Sequence, residues 1–155
     1  WNFRIIIIGD GSEKIWLMNQ IKEKKLNNYF ELLGHYPLNR MPSFFSHADA
    51  LLVSLRDKNV FNMTIPGKIQ TYLASGKPIL GMLNGEGARV IIESKAGYVC
   101  KAGDYKGLAK LIIKMSKINP YERSLLIKNG LNYCETEFNK KFLIKKLQIM
   151  MDNLK

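Results

Sequence analysis

The sequence predicts a doubly wound, Rossmann-like α/β domain: a parallel sheet covered on both sides, with a helical extension over 120–155. Three observations carry this. Short unbroken apolar runs such as "RIIII" and "ALLVSL" read as strands buried on both faces. Amphipathic stretches alternate with these runs, and such alternation needs crossover connections and hence parallel pairing. The chain has 155 residues, enough for one domain with a single buried core.

The elements follow in order. "FRIIIIG" is the first strand, closed by Gly9. A helix is expected over Ser12 to Lys25, with Ile15 and Met18 three apart, Leu17 and Ile21 four apart, and Ser12 as N-cap. "YFELLG" is a short strand, and Pro37 to His47 a short helix carrying Met41, Phe44 and Phe45. "ALLVSL" and "PILGML" are the third and fourth strands. Between them lies "MTIPGKIQTYLASGK", read as a helix from Ile65 onward with Thr64 as N-cap and Pro66 tolerated in the first turn. Glu86 to Lys95 is the next helix, "GYVC" the fifth strand, and Tyr105 to Ser116 a helix. From Pro120 the chain reads as helical, with a break near Phe138 and Asn139.

Composition narrows the class. Hydrophobic residues make up 46% and charged residues 24%, as in ordinary soluble domains. No apolar run approaches the roughly 20 residues of a bilayer span. "RIIII" lacks the cleavage region of a signal peptide. A cytoplasmic location is expected. The chain opens on Trp1 and not on methionine, so it is expected to be a piece of something longer. Cys100 and Cys134 match no metal or redox spacing and read as reduced thiols. With only His35 and His47 available, no metal and no cofactor is expected. The net charge of +11 draws attention to nucleic acid, anionic membrane or phosphorylated ligands. The basic residues are scattered, however, as on solvated helix faces, and no nucleic-acid recognition motif is found; no nucleic-acid partner is expected.

In sheets of this kind ligands sit beyond the carboxyl ends of the strands, which selects the loops after Ile8, Leu33, Leu55 and Leu83. The first, "GDGS", places Gly9 and Gly11 before a helix, where backbone amides suit an anion. A dinucleotide fingerprint would need a third glycine where Lys14 stands, and a tight turn without a ligand explains the loop equally well. After the second strand, His35 and Tyr36 suit stacking on a base and Arg40 a phosphate contact; a turn at Gly34 and Pro37 with surface aromatics is the alternative. The helix after Thr64 is more informative. Thr64, Lys68, Thr71 and Ser75 form one polar stripe; Ile65, Ile69, Tyr72 and Leu73 form another, apolar one. Gly67 and Ala74 make a small-residue side, read as tightly packed. Backbone N–H groups, the positive end of the helix dipole and the Lys68 ammonium together suit a diphosphate. A capped core helix with a solvated lysine is the alternative.

The order "IIIIGDG … ELLGHYP … SHADALLVSL … PGKIQTYLASGKPIL … GYVCKAGD" resembles the C-terminal half of GT-B glycosyltransferases, the retaining, family 4-like group that uses nucleotide-sugar donors. The resemblance covers Phe3 to Asp104, and its most specific piece is "P-x-K-x-x-x-Y-L-A-x-G-K-P", closest to bacterial capsule, O-antigen and exopolysaccharide enzymes that handle amino sugars. It implies a donor base against His35 and Tyr36, and a diphosphate on the N–H groups of Gly67 and Lys68. It also implies two departures. The glutamate expected on the ribose hydroxyls is Thr71 here, and the glutamate expected on the donor sugar is Met63. Arg56, Asp57, Lys58 and Asn59 are then the nearest polar candidates for the sugar, with Asn62 and Thr64 flanking the methionine. The family's opening strand and its Arg…Lys pair have no counterpart in the sequence.

Three functions are weighed. The first is the donor-binding half of a transferase moving a sugar from a nucleoside diphosphate, UDP by analogy, to a lipid-linked or saccharide acceptor held by an absent N-terminal domain; the isolated piece is expected to be inactive. No catalytic residue is named beyond the stabilising role of Lys68 and the Gly67 amide. The second is a non-catalytic nucleotide-binding or scaffold module, and the third nucleic-acid binding. The tail "NKKFLIKKLQIMMDNLK", with Phe142, Ile149 and Met150 near one face, is expected to pack on the body or on the missing domain. Peripheral contact with the inner face of an anionic membrane is the alternative.

Overall fold

A computed structural model describes residues 3–154; Trp1, Asn2 and Lys155, the last residue of the tail, lie outside the described residues. The chain forms two compact units, Trp1–Phe44 and Phe45–Lys155.

The first unit holds strand β1 (Ile5–Ile8), helix α1 (Lys14–Glu23), strand β2 (Phe30–Gly34) and a 3-10 turn (Leu38–Arg40); helix α2 (Met41–His47) begins in it. β1 and β2 pair in parallel, Ile5 with Phe30 and Ile7 with Leu32, and the register shifts before Ile8 meets Gly34. The expectation that "RIIII" is buried on both faces fails here: Ile6 is exposed and its neighbours are half-buried. Two strands with one helix between them have too little material to cover two faces. α1 is shorter than Ser12–Lys25, and Glu13, not Ser12, stands at its N-cap. Asp10 organises the turn instead, accepting from the Gly11 N–H at 2.8 Å and from Lys14 Nζ at 2.7 Å. At the other end Lys25 is left-handed, with φ +54°, which stops the helix. The expected helix over Pro37 to His47 divides into the 3-10 turn and α2.

The second unit contains β3 (Leu51–Ser54), α3 (Asn59–Asn62), α4 (Gly67–Ala74), β4 (Ile79–Met82), α5 (Gly85–Glu93), β5 (Gly97–Cys100), α6 (Tyr105–Ser116), α7 (Pro120–Glu137) and α8 (Lys140–Asp152). Its sheet runs β3-β4-β5, all parallel. Leu51, Ile79 and Gly97 stand in register at one end and Ser54, Met82 and Cys100 at the other. Consecutive residues of β4 point to opposite sides, as a strand requires. Ile79 belongs to a cluster with Ile69 and Leu73 of α4, Val90 and Ile91 of α5 and Val53. Leu80 belongs to another with Met115 of α6 and Leu126 of α7. The sheet is therefore covered on both sides, as expected for a doubly wound unit. Ile69, Leu73 and Ile79 are wholly buried, each side chain contributing about 1.5–3 kcal/mol.

The caps define where the helices sit. Asp104 accepts from the Gly107 N–H at 2.8 Å and starts α6; Asn119 accepts from the Glu122 N–H at 2.8 Å and, with Pro120 behind it, starts α7. The break falls at Phe138 and Asn139 as expected, because the Asn139 side chain accepts from Lys141 N and Phe142 N and opens a new helix. α8 then departs from the expectation of packing on the body. Every one of its residues is exposed, and none belongs to either apolar cluster.

Candidate functional site

Because the three strands of the second unit are parallel and in register, their carboxyl ends deliver Leu55, Leu83 and Lys101 to one rim. The chain after β3 makes α3, a helical turn absent from the sequence reading, before α4 begins. Thr64 is not the N-cap of α4. Its hydroxyl donates to the Val60 carbonyl at 3.1 Å and approaches that of Phe61 at 3.4 Å, closing α3 from behind. α4 starts at Gly67 with the extended Pro66 in the cap position and no side-chain cap. The ring of Pro66 has no N–H to offer, and its fixed φ suits entry into a helix.

That start leaves the Gly67 and Lys68 N–H groups ahead of the first helical bond, Ile69 N–H to the Pro66 carbonyl at 2.9 Å. The small-residue side read as tightly packed is open: nothing lies within 4 Å of where a Gly67 Cβ would be, and Ala74 is exposed. The buried stripe, Ile69 and Leu73, packs instead with Val53 and Ile79 of the sheet. Lys68 stands exposed beside it. Thr71, one turn on, is also exposed, and its hydroxyl donates to the Gly67 carbonyl at 3.1 Å. That leaves its oxygen lone pairs as acceptors. Met63 is 79% exposed and offers only a thioether. Arg56 and Lys58 lie exposed in the preceding loop.

Asp57 is the rim's organising carboxylate. Asn62 Nδ2 donates to its Oδ1 at 2.8 Å. Hydrogen bonds from Asn62 and then Asn84 hold the Asp57 carboxyl below its ordinary range. Asn84 in turn accepts from the Ala102 N–H at 3.1 Å, so the loops after all three strands are tied together. Asn84 and Gly85 line an open depression of about 570 Å³ with Leu83, Val99, Lys101 and Asp104, which gives the network access from solvent. Asp57 and Asn62 are sugar candidates from sequence, whereas Asn84 is marked only by its place in the loop after Leu83. The nearby guanidinium of Arg89 is committed to Glu86 and Glu93, both at 2.6 Å, and holds the Glu86 carboxyl low.

The remaining candidates belong to the first unit. Gly9 has φ +134° and donates its N–H to the Gly34 carbonyl at 2.7 Å. The Gly11 amide and the Lys14 ammonium are both held by Asp10, whose carboxyl is lowered chiefly by Lys14. His35 is exposed, Tyr36 packs edge-on against Phe44 with centroids 4.8 Å apart, and Arg40 is exposed in the 3-10 turn. Gly67 and Lys68 thus stand at the start of α4 with Thr71 one turn on, Thr64 closes α3 just before it, and Asp57, Asn62 and Asn84 meet at one rim of the same unit. Among the described residues no group of three or more metal-type side chains gathers.

The family described as "Glycosyl transferases group 1" matches residues 2–117. A probable glycosyltransferase, WbjE, of Pseudomonas aeruginosa is 29% identical over 140 residues, covering 84% of this chain and 34% of the relative. The N-acetyl-alpha-D-glucosaminyl L-malate synthase of Bacillus anthracis is 24% identical, covering 79% and 30% respectively. The chain therefore spans about a third of the length of the curated relatives it matches. Among solved structures, Alr3699/HepE of Anabaena in complex with UDP-glucose has the same fold, with TM-score 0.79 and 16% identity over 97% of this chain and 41% of that one.

Proposed function

Since the chain belongs to the group 1 glycosyl transferases, we propose that it is the donor-binding domain of an enzyme that transfers a sugar from a nucleoside diphosphate, UDP in particular. The acceptor is a lipid-linked or saccharide chain of a bacterial surface polysaccharide, held by a further domain outside these 155 residues. The observation that carries the reading is the open mouth of α4, with two backbone N–H groups and an ammonium beside empty space. The Anabaena structure of the same fold, which holds UDP-glucose, supports the nucleotide.

In this reading the Gly67 and Lys68 amides and Lys68 Nζ take the diphosphate, and their donors strengthen as the departing phosphate gains charge. Thr71 accepts from a ribose hydroxyl. With Met63 unable to bind the sugar, Asp57, pre-oriented by two asparagines, accepts from its hydroxyls. Catalysis then rests on positioning and charge stabilisation, without a general base from this domain.

Calorimetric titration of the chain with UDP and UDP-sugars tests the reading. Saturable binding that is weakened by Lys68→Ala supports it, and absence of any nucleotide binding overturns it. The two missing carboxylates, at Met63 and Thr71, favour one second reading: a nucleotide-binding module without turnover. Sugar transfer by the complete parent protein rejects that reading; tight UDP binding with no transfer to any acceptor adopts it.

A further inference from the structure

We propose that the Asn84-Gly85 dipeptide is a site of spontaneous deamidation, at which the amide beside Asp57 is converted into a carboxylate. This goes beyond the donor reading and does not rest on it. The chain contains two Asn-Gly dipeptides, Asn84-Gly85 and Asn129-Gly130; every other asparagine is followed by a residue that carries a Cβ. Deamidation begins with attack of the following backbone nitrogen on the asparagine side chain, and a glycine nitrogen has no neighbouring Cβ to shield it. The fold separates the two dipeptides. Asn84 lies just before α5, extended at φ −113° and ψ 179°, and its side chain does not cap the helix. Gly85 is exposed, and as the first residue of α5 it holds its N–H ahead of the helical ladder. Both residues line the open depression, which admits water. Asn129 sits inside α7, where the N–H of the buried Gly130 belongs to the ladder and the Asn129 amide donates to the Lys95 carbonyl at 3.2 Å.

The reaction needs no co-reactant beyond water. The Gly85 nitrogen bonds to Asn84 Cγ, and Nδ2 departs as ammonia, carrying the proton of the Gly85 N–H. Water then opens the cyclic imide at either carbonyl, leaving aspartate or isoaspartate in place of Asn84. Ring closure requires Asn84 to release the Ala102 N–H, a single 3.1 Å bond of a half-buried side chain. Aspartate can still accept from Ala102, but it has no N–H for Asp57 and sets a second negative charge beside it. Isoaspartate adds a backbone carbon next to Gly85, where room is lacking: even a Cβ on Gly85 would meet the Asn62 carbonyl. Either product therefore acts on the rim that Asp57, Asn62 and Asn84 form.

The test is incubation of the folded 155-residue chain in warm, mildly alkaline buffer, followed by proteolytic digestion and mass spectrometry. The one-dalton gain of amide to acid is expected at Asn84 roughly tenfold or more faster than at Asn129, where α7 must open first. In urea the two sites should convert at similar rates. Asn84→Gln should abolish the change at that position and leave the rate at Asn129 as it was. Asn84→Asp stands in for the product, and carboxyl NMR should find its Asp57 titrating higher than in the parent chain. Lys101 and Asp104 line the same depression and are common to both chains, so the shift reports the new charge. No conversion at Asn84 in the folded chain, or equal rates at the two sites, overturns the proposal. An Asp57 titration unmoved in folded Asn84→Asp overturns its link to the rim. None of these readouts uses a nucleotide, so the donor reading stands or falls separately.

Discussion

Gly85, the first residue of α5, lies directly against the backbone of Asn62, the last residue of α3: a Cβ at Gly85 would collide with the Asn62 carbonyl oxygen. The glycine also sits at φ +68°, where an L side chain is strained. This contact fixes where the loop after β3 stands against the loop after β4, and the Asp57 network bridges the same gap. Gly85→Ala therefore meets two penalties, a left-handed conformation and a backbone clash. It should destabilise the second unit by about 2–4 kcal/mol. A urea unfolding curve followed by circular dichroism reads this directly, and a midpoint equal to that of the parent chain removes the contact from the account.

Asp57 gives a pH prediction with a definite sign. Its folded pKa is lowered by Asn62 and Asn84, so its contribution to stability is complete above the ordinary carboxylate value and is lost as pH falls through the folded value. Carboxyl NMR should show Asp57 titrating below the ordinary aspartate value. Asn62→Ala should move that titration upward. The stability difference between parent and variant should be constant at neutral pH and shrink in acid. An unmoved titration in Asn62→Ala would show that the 2.8 Å bond is not formed in solution.

Lys68 tests the helix mouth separately. It is exposed and lies outside the buried stripe, so Lys68→Ala should leave the thermal midpoint within a degree or two. Loss of a charge-assisted hydrogen bond is worth roughly 1.5–3 kcal/mol, or about ten- to a hundredfold in UDP affinity. Uridine, which has no phosphate, should bind both forms alike. Equal losses for uridine and UDP would mean that the lysine acts on something other than the diphosphate.

Much of this was legible beforehand because the signals were local. The five apolar runs became five strands, and the helical tail from Pro120 with its break near Phe138 and Asn139 became two helices. The misreadings came from competition between neighbours. Thr64 has the chemistry of an N-cap, yet the carbonyls at the end of α3 claim its hydroxyl. Gly67 has the size of a packing residue, yet α4 turns only its Ile69 and Leu73 stripe to the sheet. Asn84 carries no motif at all. It joins the site through partners 27 positions behind it, Asp57, and 18 ahead, Ala102, which no window of sequence brings together. The exposure of α8 was equally hidden, since periodicity shows that a helix has an apolar face and not whether the body covers it.

Thr71 offers the last and most selective test. The resemblance implies a ribose-binding glutamate at this position, and the present hydroxyl spends its proton on the Gly67 carbonyl at 3.1 Å. Thr71→Glu replaces a single weak acceptor by a carboxylate able to take both ribose hydroxyls. The position is exposed on a helix surface, and glutamate is the better helix former, so folding should be unharmed. UDP should bind about tenfold more tightly, the worth of one charge-assisted hydrogen bond of roughly 1.5 kcal/mol. The gain should vanish for a UDP analogue lacking the 2′ and 3′ hydroxyls. For inorganic pyrophosphate it should reverse, because the new carboxylate stands three residues from Lys68 and competes for its ammonium. A variant that tightens all three ligands alike would place the ribose elsewhere and detach Thr71 from the donor site.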